Sequence, residues 1–323
     1  MIVYSDNLKL AHKFLGRNID LLNEKTELPE NIKPLHDTLL PAETPYKLKL
    51  SNLEFWNYLF LVKDAVKSHF DLLVELNSQS LQLPDGIVCI AETGIGFHGF
   101  RKRNWNAQQG NLHISLFFKP KYKFENIHAG VLIASAVSII ETIDSIPELK
   151  GLASTKWVND ILINNSKVSG IITQTSSIGN KISGAMIGIG LNVMNKPVIE
   201  KDRFTPEAAC LKDFTDSPQC NIEFVLGELL NNLKENIKML NEKDYSQLFE
   251  KYCSRSAVIG KTADLYSDPL TGNSEKIYSG KIIGIRENLE LIFENNSTPV
   301  RSGRLSLHKS QLSKIFSGLE KYT

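Results

Sequence analysis

Three residues suited to handling an anion lie together in the middle of this sequence: Lys156, Asn159 and Asp160. Runs of residues that favour strands flank them, so the ammonium of Lys156 is predicted to lie at a sheet edge among polar groups. A lysine ammonium is a compact point charge that can follow a phosphate or carboxylate as its geometry changes during a reaction. A surface lysine before an Asx turn fits the same residues. The motifs that accompany them favour the anion site.

The loop at 93–105 is a second candidate, because it combines three glycines, three consecutive cations and several aromatic residues. Glycines let the backbone approach a ligand closely, and the cations can gather around an anionic intermediate. Trp105 can shield such a site from water. A mobile basic surface turn would have the same composition. Farther along, Gly188 and Gly190 lie on one face of a predicted strand, which indicates that a ligand or another backbone packs there.

Apolar patterns predict the elements that must position these residues. Strands are predicted at 2–4, 47–50, 87–92, 112–118, 161–163, 167–173 and 185–193, and helices at 8–22, 55–74, 127–143, 224–240 and 245–252. Residues 164–166 are predicted to form a hairpin turn, and the proline-rich segment 26–45 a connection. Short strands at 259–263, 280–285, 289–293 and 304–307, with glycines at their corners, predict a small barrel.

Composition and charge limit the classes of function. The 323 residues include 42% hydrophobic and 23% charged residues, which is typical of a globular protein with one large core and one small core. The net charge of +1 does not predict a nucleic acid or membrane partner. Cys89, Cys210, Cys220 and Cys253 lack the spacing of zinc or redox motifs. The sequence begins without a signal-peptide pattern and its longest apolar run is short, so we expect a cytoplasmic protein.

Several separated motifs occur in the order and approximate spacing found in the biotin protein ligases. They are Cys89-Ile90-Ala91-Glu92, the glycine- and arginine-bearing loop closed by Trp105, Asn111-Leu112 with Ser115, Lys156-Trp157-Val158-Asn159-Asp160, Lys167 with Gly170-Ile171, and Gly188-Ile189-Gly190-Leu191-Asn192. The sequence resembles this family over about residues 47 to 315. The resemblance implies an α+β fold: an N-terminal extension and linker at 1–45, a mixed β-sheet catalytic domain backed by helices at 46–253, and an SH3-like β-barrel at 254–323.

The resemblance also implies a two-step reaction. The carboxylate of biotin attacks the α-phosphate of ATP in the presence of Mg²⁺, and biotinyl-AMP then passes its acyl group to a lysine of the biotin carboxyl carrier domain of a biotin-dependent carboxylase. Fixed cations and the metal would stabilise the charge that grows in the transition state. Residues 1–45 are too short and proline-broken for a helix-turn-helix, so no nucleic acid partner is expected. No membrane partner is expected either, and a homodimer is compatible with the resemblance.

The resemblance assigns roles to individual residues. Lys156 matches the family lysine that contacts substrate carboxylate and phosphate oxygens, and Asn159 and Asp160 would orient that corner. Asp160 could also help to deprotonate the incoming lysine. Arg101 is assigned to catalysis with Lys156 and Asp160, and no residue is assigned as a metal ligand. The other residues assigned to substrate or ATP binding are Ser51, Asn52, Gly94, Gly96, His98, Gly99, Phe100, Arg103, Trp105, Gly170, Ile171, Gly188, Gly190 and Asn192.

The loop departs from the family pattern, which is Gly-Arg-Gly-Arg preceded by a glutamine that contacts the ureido ring. Without gaps, Gly94 stands at the glutamine, and His98 and Phe100 stand at the two arginines. In a second register, residues 94–97 match Gly-Arg-Gly-Arg and both arginines are lost. Two alternative functions follow from these departures. One is activation of another carboxylate, such as lipoate or octanoate, and the other is a non-catalytic relative that binds an adenylate or a carrier domain.

Overall fold

A computed structural model describes residues 1–17, 19–22, 28–40, 46–50, 55–79, 82–121, 126–179, 181–198, 204, 207–241, 244–269 and 272–307. The strands in this part of the chain are β1 (Ile2–Ser5), β2 (Ile19–Leu21), β3 (Tyr46–Leu50), β4 (Tyr58–Ala65), β5 (Ile87–Gly94), β6 (Leu112–Phe118), β7 (Ala153–Lys156), β8 (Asp160–Ile163), β9 (Ser166–Ile178), β10 (Lys181–Leu191), β11 (Thr262–Tyr266), β12 (Lys276–Ile285), β13 (Leu291–Phe293) and β14 (Arg304–Leu307). The α-helices are α1 (Leu8–Leu15), α2 (Lys33–Leu39), α3 (His69–Ser78), α4 (Ile127–Asp144), α5 (Ile222–Asn241) and α6 (Tyr245–Ser254).

The main sheet has ten strands in the order β2-β3-β1-β4-β5-β6-β10-β9-β8-β7. β4 runs parallel to β1 and β5, whereas the other neighbouring pairs are antiparallel, so the mixed sheet predicted from the sequence is confirmed. Asn164 and Asn165 connect β8 to β9 with φ angles of 48° and 63°. Two consecutive left-handed residues match the right-handed twist of a hairpin, and Asn tolerates that conformation.

Helices cover both faces of this sheet. One apolar cluster packs α1, α4 and α5 on one face, and a second packs α2 and α3 on the other. Helix α4 is long and apolar enough to cross a membrane by length and composition, but 72% of it is buried inside the protein. Its Ser138 and Thr142 hydroxyls donate to backbone carbonyls one turn earlier, at 2.6 and 2.7 Å. The burial of α4 is that of a core helix.

One predicted helix is wrong. Residues 55–74 form strand β4 and the start of α3, not a single helix. Residues 59–62 are buried between β1 and β5, and a strand covered on both faces is a continuous apolar run that resembles a buried helix. Helix α3 begins after Ser68, whose Oγ accepts a hydrogen bond from the Asp71 N–H at 3.3 Å.

The N-terminal residues belong to the main sheet and are not a separate leading element. β1 lies between β3 and β4, and Val3 pairs with Leu48 on one side and Leu59 on the other. The helix predicted at 8–22 ends at Leu15, because Gly16 has a φ of 73° and β2 follows. The segment predicted as a connection contains α2.

Strands β11 to β14 form a second, antiparallel sheet in the order β13-β12-β11-β14, which is consistent with the predicted SH3-like domain. The chain segment around Lys156 is attached to this C-terminal part. The Trp157 indole N–H donates to the Leu289 carbonyl at 2.7 Å, and the Tyr252 hydroxyl donates to the Val158 carbonyl at 2.9 Å. The backbone on both sides of the Lys-Trp-Val-Asn-Asp stretch is therefore fixed by tertiary contacts as well as by its strands.

Candidate active site

A cavity of about 740 Å³ opens where the main sheet, the loop at 97–106 and the C-terminal sheet meet. Predicted site residues from well-separated parts of the sequence line it, namely His98, Gly99, Phe100, Arg103, Trp105, Lys156, Asn159, Asp160, Gly170, Ile171, Gly188, Gly190 and Asn192. Gly94, Gly96 and Arg101 are not part of this lining. Ser51 and Asn52 lie outside the described residues.

Lys156 and Asp160 face each other at the edge of the cavity, because they are the first partners of the β7–β8 pair. The Lys156 side chain is 8% exposed and its Nζ donates to the Phe204 carbonyl at 2.6 Å. The Asn159 side-chain amide donates to the Ile171 carbonyl at 2.6 Å, which fixes the turn between the two strands against β9. The cation is thus held in a corner whose backbone is rigid.

A second lysine completes this corner. Lys167 Nζ lies 2.6 Å from Asp160 Oδ1, and Lys167 also lines the cavity. Burial alone would raise the pKa of the Asp160 carboxyl, but the charges of Lys167 and Lys156 oppose burial and hold that pKa below its ordinary value. Asp160 is therefore an ionised carboxylate, paired with Lys167 and influenced by the charge of Lys156, and it is a weaker proton acceptor than an ordinary aspartate.

Helix α3 anchors the loop that forms one wall of the cavity. The Asp71 carboxylate lies 2.9 Å from His98 Nε2 and 3.0 Å from Lys102 Nζ. Burial tends to raise the pKa of Asp71, but the hydrogen bonds from Lys102 and His98 lower it overall. Two of the loop's basic side chains are thus directed to α3, where they hold the loop in place.

The arginines of the loop turn the other way, toward the C-terminal sheet. Arg101 Nε and Arg103 Nη2 each lie 3.8 Å from Asp268 Oδ2. Arg101 has a left-handed φ of 57°, and it does not itself line the cavity. Both guanidinium groups also lie over the Phe100 ring, 5.5 and 5.9 Å from its centroid. Phe100 occupies the position of a family arginine in the ungapped register and here supports two other arginines.

Trp105 lies directly on strand β10. A Cβ atom at Gly190 would be only 2.2 Å from ring carbons of Trp105, so the indole is seated where only glycine leaves room. The indole N–H donates to His113 Nδ1 at 3.2 Å, and the other ring nitrogen of His113 contacts the Gln108 carbonyl at 3.0 Å. His113 is therefore a neutral imidazole with Nε2 protonated, and burial lowers its pKa to about 4.

Gly94 serves the shape of the loop and places no side chain at the cavity. A Cβ atom there would be 2.6 Å from the Phe97 ring and 2.8 Å from the Ala65 carbonyl oxygen. Phe97 occupies this space and lines the cavity, with its ring centroid 5.8 Å from that of His69 and 5.9 Å from that of His113. Close packing of an aromatic ring thus replaces the hydrogen-bonding side chain expected at this position from the family pattern.

The assignment of site residues from the sequence missed several that line the cavity. They are Ser68, Phe70, Phe97, Ser115, Lys167, Asp268, Arg301 and Arg304. Lys167 and Ser115 belong to motifs quoted for the resemblance, so their positions were available as a signal. Ser68 and Phe70 follow β4. Because residues 55–74 were predicted as one helix, the end of that strand was not predicted, and neither were these two residues. Arg304 lies in β14, Asp268 follows β11 and Arg301 precedes β14, and no local pattern connects these residues to the loop.

Comparison with known proteins agrees with this geometry. Residues 64–192 match the sequence model of the biotin/lipoate A/B protein ligase family. Over 305 residues the chain is 27% identical to the bifunctional ligase/repressor BirA of Bacillus spizizenii, covering 90% of this chain and 87% of that protein. The biotin protein ligase of Aquifex aeolicus, solved in complex with biotin and ATP, matches with a TM-score of 0.59 and 25% identity, over 77% of this chain and 98% of that one.

These matches support a biotin protein ligase. The Lys-Trp-Val-Asn-Asp stretch, on which the sequence resembles the biotin protein ligases, lies inside the matched residues. The match to BirA of Bacillus subtilis is 28% identical over 223 residues and spans 63% of that relative. The family match at 64–192 includes strands β5 to β10 of the main sheet and the loop at 97–106, whereas the cavity residues Phe204, Asp268, Arg301 and Arg304 lie outside it.

Proposed function

We propose that this protein is an ATP-dependent biotin protein ligase. In the first step a carboxylate oxygen of biotin attacks the α-phosphorus of ATP, the bond to the β-phosphate oxygen breaks, and biotinyl-AMP and pyrophosphate form. In the second step the ε-amine of a lysine in a biotin carboxyl carrier domain attacks the biotinyl carbonyl. The C–O bond to AMP breaks, an amide forms, and the amine loses a proton.

The observation that carries this proposal is the pair of ammonium groups around Asp160. Lys156 and Lys167 lie at one corner of a cavity large enough for a small acid and a nucleotide, and two anions must meet there for the first step. Fixed cations in a half-buried site stabilise charge that grows in the transition state, and each is worth about 10² to 10³ in rate. The same corner would bind the carboxylate and the α-phosphate in adjacent positions, which favours in-line attack.

Asp160 is best suited to holding the two lysines in position. Its pKa lies below the ordinary value, so it stays ionised at neutral pH and has little capacity to take a proton from an incoming amine. The Asp160 carboxylate orients Lys167 through the 2.6 Å contact, and its charge offsets the repulsion between Lys167 and Lys156. We therefore assign Asp160 an orienting role, and the amine proton leaves to solvent or to a departing phosphate oxygen.

Mg²⁺ is proposed to enter as the ATP complex. In the described part of the chain no group of three His, Cys, Asp or Glu side chains is arranged to hold a metal ion, and Asp160 is already paired with Lys167. These residues do not form a resident metal site, so no step is assigned to a protein-bound ion. The phosphates of ATP are themselves sufficient ligands for Mg²⁺, which usually keeps several waters and few protein ligands.

A second substrate remains a candidate because of the aromatic wall. Phe70, Phe97, Phe100 and Trp105 line the cavity beside the loop, and Phe100 stands where the ungapped family pattern has an arginine. An apolar wall suits a straight acyl chain, so lipoate or octanoate could replace biotin with the same chemistry. A non-catalytic relative that binds an adenylate or a carrier domain is the alternative from another class of protein.

ATP–pyrophosphate exchange distinguishes these functions. The exchange rate is measured with MgATP and labelled pyrophosphate in the presence of biotin, lipoate, octanoate or no acid. We expect exchange that depends on biotin. Exchange with lipoate or octanoate but not with biotin would assign a different substrate to the same adenylation mechanism. No exchange with any acid, in protein that is folded by circular dichroism, would favour the non-catalytic alternative.

A further inference from the structure

A carboxylate from the C-terminal sheet lies between the two loop arginines. Asp268 follows β11, lines the cavity, and has a side chain that is 11% exposed. Its Oδ2 is 3.8 Å from Arg101 Nε and 3.8 Å from Arg103 Nη2. It is the point where the loop of the main domain meets the second sheet through opposite charges.

These contacts leave the arginines able to bind something else. A distance of 3.8 Å is longer than a hydrogen bond, and each contact involves one nitrogen of a guanidinium that carries five N–H donors. Arg103 also donates from Nε to the Phe100 carbonyl at 3.0 Å. The terminal amino groups of Arg101 have no hydrogen-bond partner within the described residues, and the Asp268 side chain beside Arg101 lines the cavity.

The guanidinium groups of Arg101 and Arg103 would move apart if the Asp268 carboxylate were absent. Their like charges repel, and Phe100 contacts their faces without neutralising them. The other cation of the loop, Lys102, is paired with Asp71 on α3 and does not compete for Asp268. Asp268 is thus the counter-charge that allows both arginines to stay at the same edge of the cavity.

We propose that Asp268 is a positioning residue, which holds Arg101 and Arg103 in place to retain the phosphate of ATP and of the acyl-adenylate. The proposal rests on the proposed ligase function and adds a role for the C-terminal sheet. That sheet supplies the charge which keeps Arg103 in the cavity lining, with Arg101 next to it, between the two steps. Without Asp268, the arginines would turn toward water and the adenylate would escape before it meets the carrier lysine.

The test compares Asp268→Asn with two matched variants. Asp268→Glu keeps the charge. Asp264→Asn makes the same chemical change in β11, where Asp264 pairs with Lys276 at 2.8 Å and does not line the cavity. For Asp268→Asn we expect the KM for ATP in biotin-dependent exchange to rise about tenfold and kcat to change less than about threefold, since one charge-assisted contact corresponds to about a tenfold change in affinity. Release of preformed adenylate, measured by dilution into unlabelled biotin, should accelerate about tenfold.

Recovery of both values by Asp268→Glu, with Asp264→Asn equal to the unmodified protein, would support the positioning role. An unchanged KM and release rate in Asp268→Asn would overturn it, and so would tighter ATP binding, because that would make Asp268 a competitor of the phosphate. An equal effect of Asp264→Asn would also overturn it, because the change would then come from general destabilisation of the C-terminal sheet. If the unmodified protein shows no exchange, the ligase function fails, and equilibrium dialysis with labelled ATP then decides the role of Asp268 by itself.

Discussion

Replacing Gly190 by alanine tests the seat of Trp105 against β10. The new Cβ would lie 2.2 Å from two carbons of the indole, whereas ordinary contacts begin at 3.4 Å, so the ring has to move by about 1 Å or more. A movement of that size breaks the 3.2 Å hydrogen bond from the indole N–H to the buried His113. Overpacking costs about 1 to 3 kcal/mol and an unsatisfied buried imidazole about 1 kcal/mol, so we expect a loss of about 2 to 4 kcal/mol.

Urea unfolding followed by circular dichroism measures this loss, and biotin-dependent exchange measures its effect on the site. The matched control is Gly227→Ala in helix α5, where a Cβ would meet nothing within 4 Å and the change should stabilise the protein by about 0.5 to 1 kcal/mol. If Gly190→Ala unfolds at the same urea concentration as the unmodified protein and keeps its KM for biotin, Trp105 does not depend on this glycine and the geometry given for the wall is incorrect.

Three further predictions follow from the same geometry. Lys156→Ala should lower biotin-dependent exchange by about 10² or more while circular dichroism stays unchanged, and full exchange would remove Lys156 from the mechanism. Burial lowers the pKa of His69 and His113 to about 4, so between about pH 6.5 and pH 4 the unfolded state binds more protons. The free energy of unfolding should therefore fall as pH falls through that window, by at most about 3 kcal/mol per imidazole, and His113→Gln should flatten the profile measured by urea unfolding. Trp157→Phe removes the buried 2.7 Å hydrogen bond to the Leu289 carbonyl and should lower the free energy of unfolding by about 1 to 3 kcal/mol. Amide hydrogens of β13 should then exchange with solvent faster. An unchanged amide exchange rate in β13 would mean that Trp157 does not attach the C-terminal sheet.

The sequence predicted those parts of the fold whose signals are local. The Asn-Asn turn between two apolar runs indicated the β8–β9 hairpin, and that hairpin brings Lys167 within 2.6 Å of Asp160. The glycines of β10 indicated a surface against which something packs, and Trp105 packs on one of them. The helix predicted at 55–74 is wrong because β4 is buried on both faces. Such a strand lacks the alternation of apolar and polar residues that distinguishes a strand from a helix.

The parts of the site that depend on contacts between distant segments could not be predicted in this way. Arg101 was assigned to catalysis by its position in the loop, and its contact with Asp268, which follows β11 of the second sheet, is not indicated by the loop sequence. His98 was assigned to ligand binding, and its ring lines the cavity while contacting Asp71 of α3. Such pairings arise from the tertiary fold, because neither the residue spacing nor the conformational propensity of the loop indicates which distant side chain contacts it.

Transfer of biotin to a carrier domain tests the central proposal most directly. A purified biotin carboxyl carrier domain is incubated with the protein, MgATP and biotin, and intact-mass spectrometry detects the added acyl group. We predict that the carrier gains one biotinyl group on its acceptor lysine, that the gain requires ATP, and that Lys156→Ala abolishes it. A carrier that stays unmodified under conditions where a known ligase modifies it would contradict the assignment.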